Sequence, residues 1–176
     1  MGLLDLTDEC HEAIERWNGV VGPPDPRNRG REALRVYKND FVENYLATSH
    51  PVLPIVWFGG VIAFGAYSAF AVGPLVGLPL FVLGVLNWTL LEYVLHRFAF
   101  HAKPGAGVGG KLGLFLIHGY HHAFPDDRWR LVAPPLMSFP IAAVVATIYI
   151  LVAGAYWWPL FGGTVLGYLA YDWIHS

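Results

Sequence analysis

Read for the alternation of apolar and polar positions, the chain divides into a polar opening, two long apolar stretches and a polar interval between them. Residues 51–91 and 131–171 each run for 41 positions without an Asp, Glu, Lys or Arg. A membrane-spanning helix rises about 1.5 Å per residue and needs about 20 apolar residues. Each stretch therefore has the length of two spans and predicts a hairpin. The first hairpin is expected to turn near AVGPLVGLP, where Gly73, Pro74, Gly77 and Pro79 interrupt the run. The second is expected to turn near GAYWWPLFGG, where Trp157 and Trp158 suit a membrane interface. The competing reading, buried core helices of a soluble protein, needs far less uncharged length than this. Before the first hairpin, VYKNDFVENYL places Tyr37, Phe41 and Tyr45 at four-residue spacing. That spacing fits a helix lying on a membrane surface or one packed against the protein. GVVGPPDPRNRG, residues 19–30, reads as a turn or short linker. The pattern predicts an all-α, polytopic membrane protein with four transmembrane helices as two hairpins. Residues 1–50 form N-terminal cytosolic and interfacial helices, and residues 51–176 form the four-helix membrane domain.

Composition agrees with this reading. The 176 residues are 55% hydrophobic and 15% aromatic, with a mean hydropathy of +0.45, too apolar for an ordinary soluble domain. A formal charge of −2 carries no basic excess and argues against a nucleic-acid partner. The one cysteine, Cys10, excludes an intrachain disulfide framework and a cysteine-rich metal site. The acidic, amphipathic opening MGLLDLTDECHEAIERW lacks the features of a signal peptide and is expected to stay on the side of synthesis. All eleven Lys and Arg lie in residues 1–50 and 92–130. Two hairpins return both segments and the C-terminus to one face, which the positive-inside rule places in the cytosol. Beyond the duplicated hairpin there is no internal repeat.

Every one of the eight histidines falls on that same predicted face. His11 and His50 stand alone and read as surface or interfacial residues. His96 and His101 lie in EYVLHRFAFH, His118, His121 and His122 in HGYHH, and His175 in YDWIHS. Positions 118, 121 and 122 are i, i+3 and i+4, so on a helix their imidazoles share one face, as metal ligands require. Glu92 and His96 have the i, i+4 relation. His96 and His101 are about 140° apart around an α-helix and converge only if the helix bends or ends between them. Asp172 and His175, at i and i+3, could form a ligand with its carboxylate orienter. A single histidine near a membrane surface is ordinarily a polar anchor. Six in three groups would be costly to charge together, and a divalent metal is the usual reason to collect them neutral.

Imidazole-rich, thiolate-free sites suit iron, zinc or copper, whereas Mg and Ca prefer oxygen shells. Six candidates exceed the three or four side chains of a mononuclear catalytic site and point to two metals. At the mouth of a membrane bundle the neighbours are acyl chains, whose C–H bonds resist acid–base chemistry. Oxygen activation by iron fits them better than hydrolysis does.

LLEYVLHRFAFH followed by HGYHHAFPDDRWRLVAPP resembles the fatty acid hydroxylase superfamily of integral-membrane, histidine-box di-iron proteins. The likeness is greatest to the fatty acid 2-hydroxylases that act on sphingolipid acyl chains. YDWIH resembles the opening of a third box, and YKNDFVENYLATSHPVLPIVW resembles that subgroup's approach to its first span. The likeness covers about Tyr37 to His175. It implies that His96, His101, His118, His121, His122 and His175 are metal ligands and catalytic residues. It also implies two iron ions, for which zinc can substitute in the isolated protein, O2 as co-substrate, and hydroxylation next to the acyl carboxyl. Electrons would come from a separate donor: a cytochrome b5, a ferredoxin or a reductase. The 50-residue N-terminus is expected to be too short for a fused cytochrome b5 domain, and it carries no HPGG signature.

Within the second box, Pro125 is expected to end the helix carrying His122, and Pro134 and Pro135 to keep the following segment extended. Asp127 matches the box aspartate and is expected to orient a histidine, while Asp126 falls where the pattern varies. Arg128 and Arg130 could pair with those aspartates, hold a lipid phosphate or acyl carboxylate, or anchor the chain among headgroups. Glu92 and Asp172 complete the surrounding polar set. The family's third box continues with further histidines, whereas this sequence stops at Ser176. A truncated hydroxylase, a short form in which Glu92, Asp127 or Asp172 replaces the missing ligands, and a non-catalytic metal- or lipid-binding relative all fit that ending. Sterol and carotenoid hydroxylation remain alternatives within the superfamily. Asn87, Thr89 and Thr164 are the few polar residues within the spans, none ionisable, which disfavours a transporter. Gly163 and Gly167 offer a small-xxx-small pair for helix packing.

Overall fold

The computed structural model describes residues 2–17, 34–49, 52–127, 129–130 and 133–175, without the side chains of Leu53, Pro54 and His175. His50, Arg128 and the predicted linker at 19–30 lie outside that set. Among the described residues the chain is all-helical, apart from one isolated antiparallel bridge between Leu6 and Tyr37. It divides into two compact units. One joins residues 1–50 to residues 94–137, and the other joins residues 51–93 to residues 138–176.

The second unit holds α2 (Leu53–Ala71), α3 up to Tyr93 (Pro74–Val94 in full), α6 from Ser138 (Pro135–Ala153) and α7 (Trp157–His175). Two helical runs, Pro74–Phe100 and Pro135–Ile174, are long and apolar enough to cross a membrane, and α2 is a shorter apolar helix. Gly73, with φ at 100°, makes the first turn in a conformation that side chains resist. The first turn is tighter than expected. Pro74 opens α3, where a missing N–H costs nothing, and Gly77 and Pro79 lie inside the helix. The second turn is Gly154 at φ 54° followed by a 3₁₀ turn through Tyr156, and Trp157 and Trp158 begin α7. Pro135 similarly opens α6 rather than prolonging an extended segment.

Helices that share a lipid-like surrounding gain little from burying apolar side chains and associate through close backbone contact instead. Here α7 supplies that contact on two sides. A Cβ built on Gly162 would lie 2.7 Å from the Cα of Gly65 in α2, and one on Gly163 would lie 2.0 Å from the carbonyl oxygen of Phe81 in α3. Gly167 meets the Trp88 side chain at 2.8 Å. Both members of the predicted glycine pair therefore face α3. Phe58 of α2 meets Phe139 at 5.5 Å and Tyr168 at 5.8 Å between ring centres, so α6 and α7 run antiparallel. The polar span residues close one knot: Asn87 donates to the Tyr149 hydroxyl, which lies 2.9 Å from Thr164 Oγ1. Thr164 in turn donates to backbone carbonyls of Leu160 or Gly84. Much of the outer surface is apolar, with Leu75 92% and Val152 82% exposed, as a lipid-facing surface would be.

The first unit has a packed core of Leu6, Cys10, Ile14, Leu34, Val36 and Val42 against Phe115, Tyr120 and Phe124. The helix α1 (Asp8–Arg16) begins at Thr7, whose hydroxyl accepts from Cys10 N at 3.1 Å. Lys111 of α4 (Gly107–Leu114) closes its other end, donating to the Trp17 carbonyl at 2.6 Å. The expected Tyr37–Phe41–Tyr45 stripe breaks: Tyr37 is buried beside the bridge to Leu6, while Phe41 and Tyr45 are exposed and in ring contact at 5.5 Å. The chain between them is a π-helical turn, Val42–Leu46, and its i+5 spacing does not follow the α-helical period.

Candidate metal centre

Two π-helical turns bring the histidines together. An α-helix would leave His96 and His101 on different sides, but Leu95–Phe100 is a π-helical turn in which His101 N donates to His96 O at 3.2 Å, an i+5 bond. Residues five apart thereby come nearly into register, and the two Nε2 atoms lie 3.0 Å apart. The local rearrangement resolves the convergence that α-helical spacing left open. The second π-helical turn, Phe115–Gly119, carries His118 and passes into α5 (Tyr120–Ala123), which carries His121 and His122. His118 and His122 approach to 2.9 Å between Nε2 atoms. Phe124 leaves the helix and Pro125 follows it, as expected.

The two turns face one another. Ring centres of His96 and His118 lie 4.7 Å apart, those of His101 and His118 5.1 Å, and those of His101 and His122 6.0 Å. His121 lies 6.4 Å from His118 and 5.5 Å from His122. Ligand nitrogens of His96, His101 and His118 all lie within 4.8 Å of one another. Five of the six predicted histidines thus form one cluster. Of His175 only the backbone, at the end of α7, is described.

Two imidazole nitrogens bound at about 2.0–2.1 Å to one ion come about 3 Å apart, the spacing both close pairs show. The donor set is all imidazole, which suits a transition metal or zinc and disfavours Mg and Ca. Burial, followed by the neighbouring imidazoles of His122, His96, His101 and His121, lowers the His118 pKa to about 3. His118 therefore stays neutral and keeps a lone pair available at ordinary pH. Phe100 stacks on its ring at 5.2 Å and 25°, covering one face of the imidazole.

Behind the histidines lies a second constellation. Asp127, 1% exposed, accepts from the Tyr120 hydroxyl at 2.5 Å, from Trp129 N at 2.9 Å and from Arg130 at 2.9 Å. These donors are a phenol, an amide and a guanidinium rather than the imidazole expected from sequence. Arg130 also pairs with Glu43, so its two terminal nitrogens face carboxylates of the protein. Burial works against the guanidinium charge, but Tyr120, Glu43 and Asp127 outweigh it and hold the Arg130 pKa above its ordinary value. Burial likewise pushes the Tyr120 phenol upward, assisted by its bond to Asp127. In the other unit, Glu92 receives the Tyr171 hydroxyl and Asp172 receives that of Tyr168. Sequence reasoning passed over Glu43, Tyr120 and Phe100. The first two show no ligand spacing, and Glu43 lies 87 positions from its guanidinium partner.

Comparison with known proteins gives the same direction. The family profile of fatty acid hydroxylases matches residues 81–176. A fatty acid 2-hydroxylase of Rattus norvegicus is 35% identical over 81% of this chain and 44% of its own length. A dihydroceramide fatty acyl 2-hydroxylase of Arabidopsis thaliana is 36% identical over 82% of this chain and 62% of its own. A ceramide very long chain fatty acid hydroxylase of Saccharomyces cerevisiae is 33% identical over 85% and 40%. The chain thus spans less than two thirds of each of these relatives. A solved structure of full-length Scs7p, in which only the hydroxylase domain is visible, superposes with a TM-score of 0.75. That match has 27% identity and covers 98% of this chain and 64% of the other.

Proposed function

The chain belongs to the fatty acid hydroxylase family, and from that premise we propose that it is a membrane di-metal oxygenase that hydroxylates a lipid acyl chain at C2. The observation that carries this reading is the gathering of His96, His101, His118, His121 and His122 from two separate helical segments into one cluster. The substrate class rests on the relatives, which act on fatty acids, dihydroceramide fatty acyl groups or ceramide fatty acids by name.

In this proposal the five clustered histidines, with His175 as a sixth, hold two iron ions. Such a pair supplies the activation of O2 that an unactivated C–H bond requires. The overall reaction consumes O2, two electrons and two protons, placing one oxygen atom in the C–OH and the other in water. The electrons come from a separate cytochrome b5, ferredoxin or reductase. The protein's own contribution is to present imidazole lone pairs, that of His118 held neutral by burial, to shield the face of His118 with Phe100, and to place the cluster beside acyl chains. Glu92, Arg128 and Asp172 belong to the polar surroundings of the site. Residues 51–176 form the membrane domain with four spans, and residues 1–50 with the histidines face the cytosol.

The test is expression in cells without endogenous 2-hydroxy lipids, growth under ¹⁸O2, and mass spectrometry of hydrolysed acyl chains. One ¹⁸O atom at C2, absent with His122→Ala, is the expected result. Metal-loaded protein whose presence adds no ¹⁸O to any acyl chain would overturn the hydroxylase reading in favour of a metal- or lipid-binding relative. Labelled sterol or carotenoid in place of acyl chain would overturn the substrate.

A further inference from the structure

Glu43, Tyr120, Asp127 and Arg130 form a closed buried network on the side of the histidine turn away from the imidazoles. Tyr120 is two residues from both His118 and His122; its ring is part of the buried core, while the two imidazoles turn toward each other, 2.9 Å apart between Nε2 atoms. Its ring is held by Phe124 at 5.0 Å and Phe115 at 5.9 Å. Ring contacts of this kind favour a particular tilt of the ring but contribute only modestly beyond the area they bury. A firmer direction comes from the hydroxyl, which donates to Asp127 at 2.5 Å and accepts from Leu34 N at 3.1 Å. Arg130 lies over the same ring at 5.1 Å and bridges Asp127 to Glu43. Glu43 then receives Tyr37 N at 2.9 Å and Val36 N at 3.2 Å, tying the network to the backbone of the N-terminal segment.

Two considerations give the network a role beyond general cohesion. The turn it holds closes a helical run from Gly107 to Ala123 in which a π-helical turn, Phe115–Gly119, breaks the α-helical hydrogen-bond spacing just before α5, so the rotation of that last turn depends on contacts from outside the helix. Moreover, both members of the ion pair Arg130–Asp127 are under 10% exposed. Buried ion pairs contribute little net stability relative to apolar packing, and their best-attested use is to specify one geometry. A second tie presses on the same turn: a Cβ on Gly119 would lie 2.7 Å from the Trp17 ring, so the N-terminal segment sits directly against the residue after His118.

We propose that Glu43, Tyr120, Asp127 and Arg130 are positioning residues, a buried network that anchors Tyr120 to the N-terminal segment and thereby fixes the rotation of the turn presenting His118, His121 and His122. This inference rests on the metal-centre reading and extends it to residues that touch no ligand.

The test uses the full chain in mild detergent, with Co(II) as probe, measuring affinity by chelator competition and ligand field by visible absorption. Tyr120→Phe and Glu43→Gln are compared with the packing variant Phe124→Leu and the ligand variant His122→Ala. Tyr120→Phe keeps the ring and its stacking, so it remains decisive should Glu43→Gln not fold. The expected result is about tenfold weaker Co(II) binding with displaced absorption bands in the two network variants. Phe124→Leu is expected to lower the thermal midpoint while retaining wild-type bands and affinity. Wild-type affinity and bands in Tyr120→Phe and Glu43→Gln would overturn the positioning role while leaving the metal centre standing. No Co(II) binding by the wild type, or unchanged binding by His122→Ala, would overturn the metal centre itself and the positioning role with it.

Discussion

An exposed imidazole at neutral pH is divided between two protonation states, whereas His118, buried among four other imidazoles, is held in the neutral one. In the proposed centre, replacement of His121 or His122 removes a ligand without touching the apolar helices. His121→Ala and His122→Ala are therefore expected to lower the metal content of purified protein by elemental analysis and to abolish hydroxylation, with membrane insertion intact. Metal content unchanged from wild type in both variants would remove these residues from the site. The one cysteine behaves in the opposite sense. Cys10 is fully buried and its thiol is pushed up to about 11, chiefly by burial, so the reactive thiolate is scarce at pH 8. A maleimide is expected to modify native protein at Cys10 at least a hundredfold more slowly than protein unfolded in denaturant. Rapid native labelling would show that α1 is not docked. Spacing alone was enough to group His118, His121 and His122. It could not reveal Asp127's real partner, because Tyr120 looks like any buried aromatic until Leu34 and Glu43 are brought to it from far along the chain.

Helical elements were legible where their signal was one of length or charge and illegible where it depended on local winding. The 41-residue uncharged stretches announced paired helices, but the prolines and glycines that seemed to mark broad turns are mostly absorbed into α3 and α7. No residue pattern announced the π-helical turn that draws His101 to His96, since its extra residue per turn is paid for by surrounding packing rather than by local preference. Glycine contacts give the sharpest expectations at this scale. Gly163→Ala must move a backbone, as its Cβ would lie 2.0 Å from the Phe81 oxygen, and is expected to destabilise the fold by about 1–3 kcal/mol. Gly59→Ala meets nothing within 4 Å and is expected to leave stability unchanged or raise it by up to about 1 kcal/mol. Thermal melts of both in one detergent decide the matter, and equal losses would contradict the α3–α7 contact. Tyr149→Phe, which cuts the link from Asn87 to Thr164, is expected to cost about 0.6 kcal/mol, the average for hydrogen bonds between spanning helices.

For the molecule as a whole, charge placement predicts orientation. Under the proposed four-span arrangement, which puts all Lys and Arg on one face, Lys103→Cys is expected to react with a membrane-impermeant maleimide only from the cytosolic side, and Ala155→Cys only from the other. The buried Cys10 leaves a low background for both. Labelling of the two positions from the same side would refute the double hairpin. The sequence was informative about which segments are apolar and which carry chemistry. It was silent on the partnership of residues 1–50 with residues 94–137, because no local pattern encodes contacts between segments separated by a whole hairpin.

That partnership sets a timetable for biogenesis. Tyr120 follows its hydrogen-bond partner Leu34 by 86 positions, a delay of roughly 4–17 s at a synthesis rate of about 5–20 residues per second. During that delay the first apolar hairpin emerges from the ribosome, so under the proposed topology its membrane insertion precedes the folding of the histidine-bearing unit. The apolar side chains of Leu34, Val36 and Val42 meanwhile have no Phe115, Tyr120 or Phe124 to cover them. The nascent N-terminal segment is thus a natural client for chaperones, and lesions there would first be seen as lost protein yield, before any change in the chemistry of the molecules that mature.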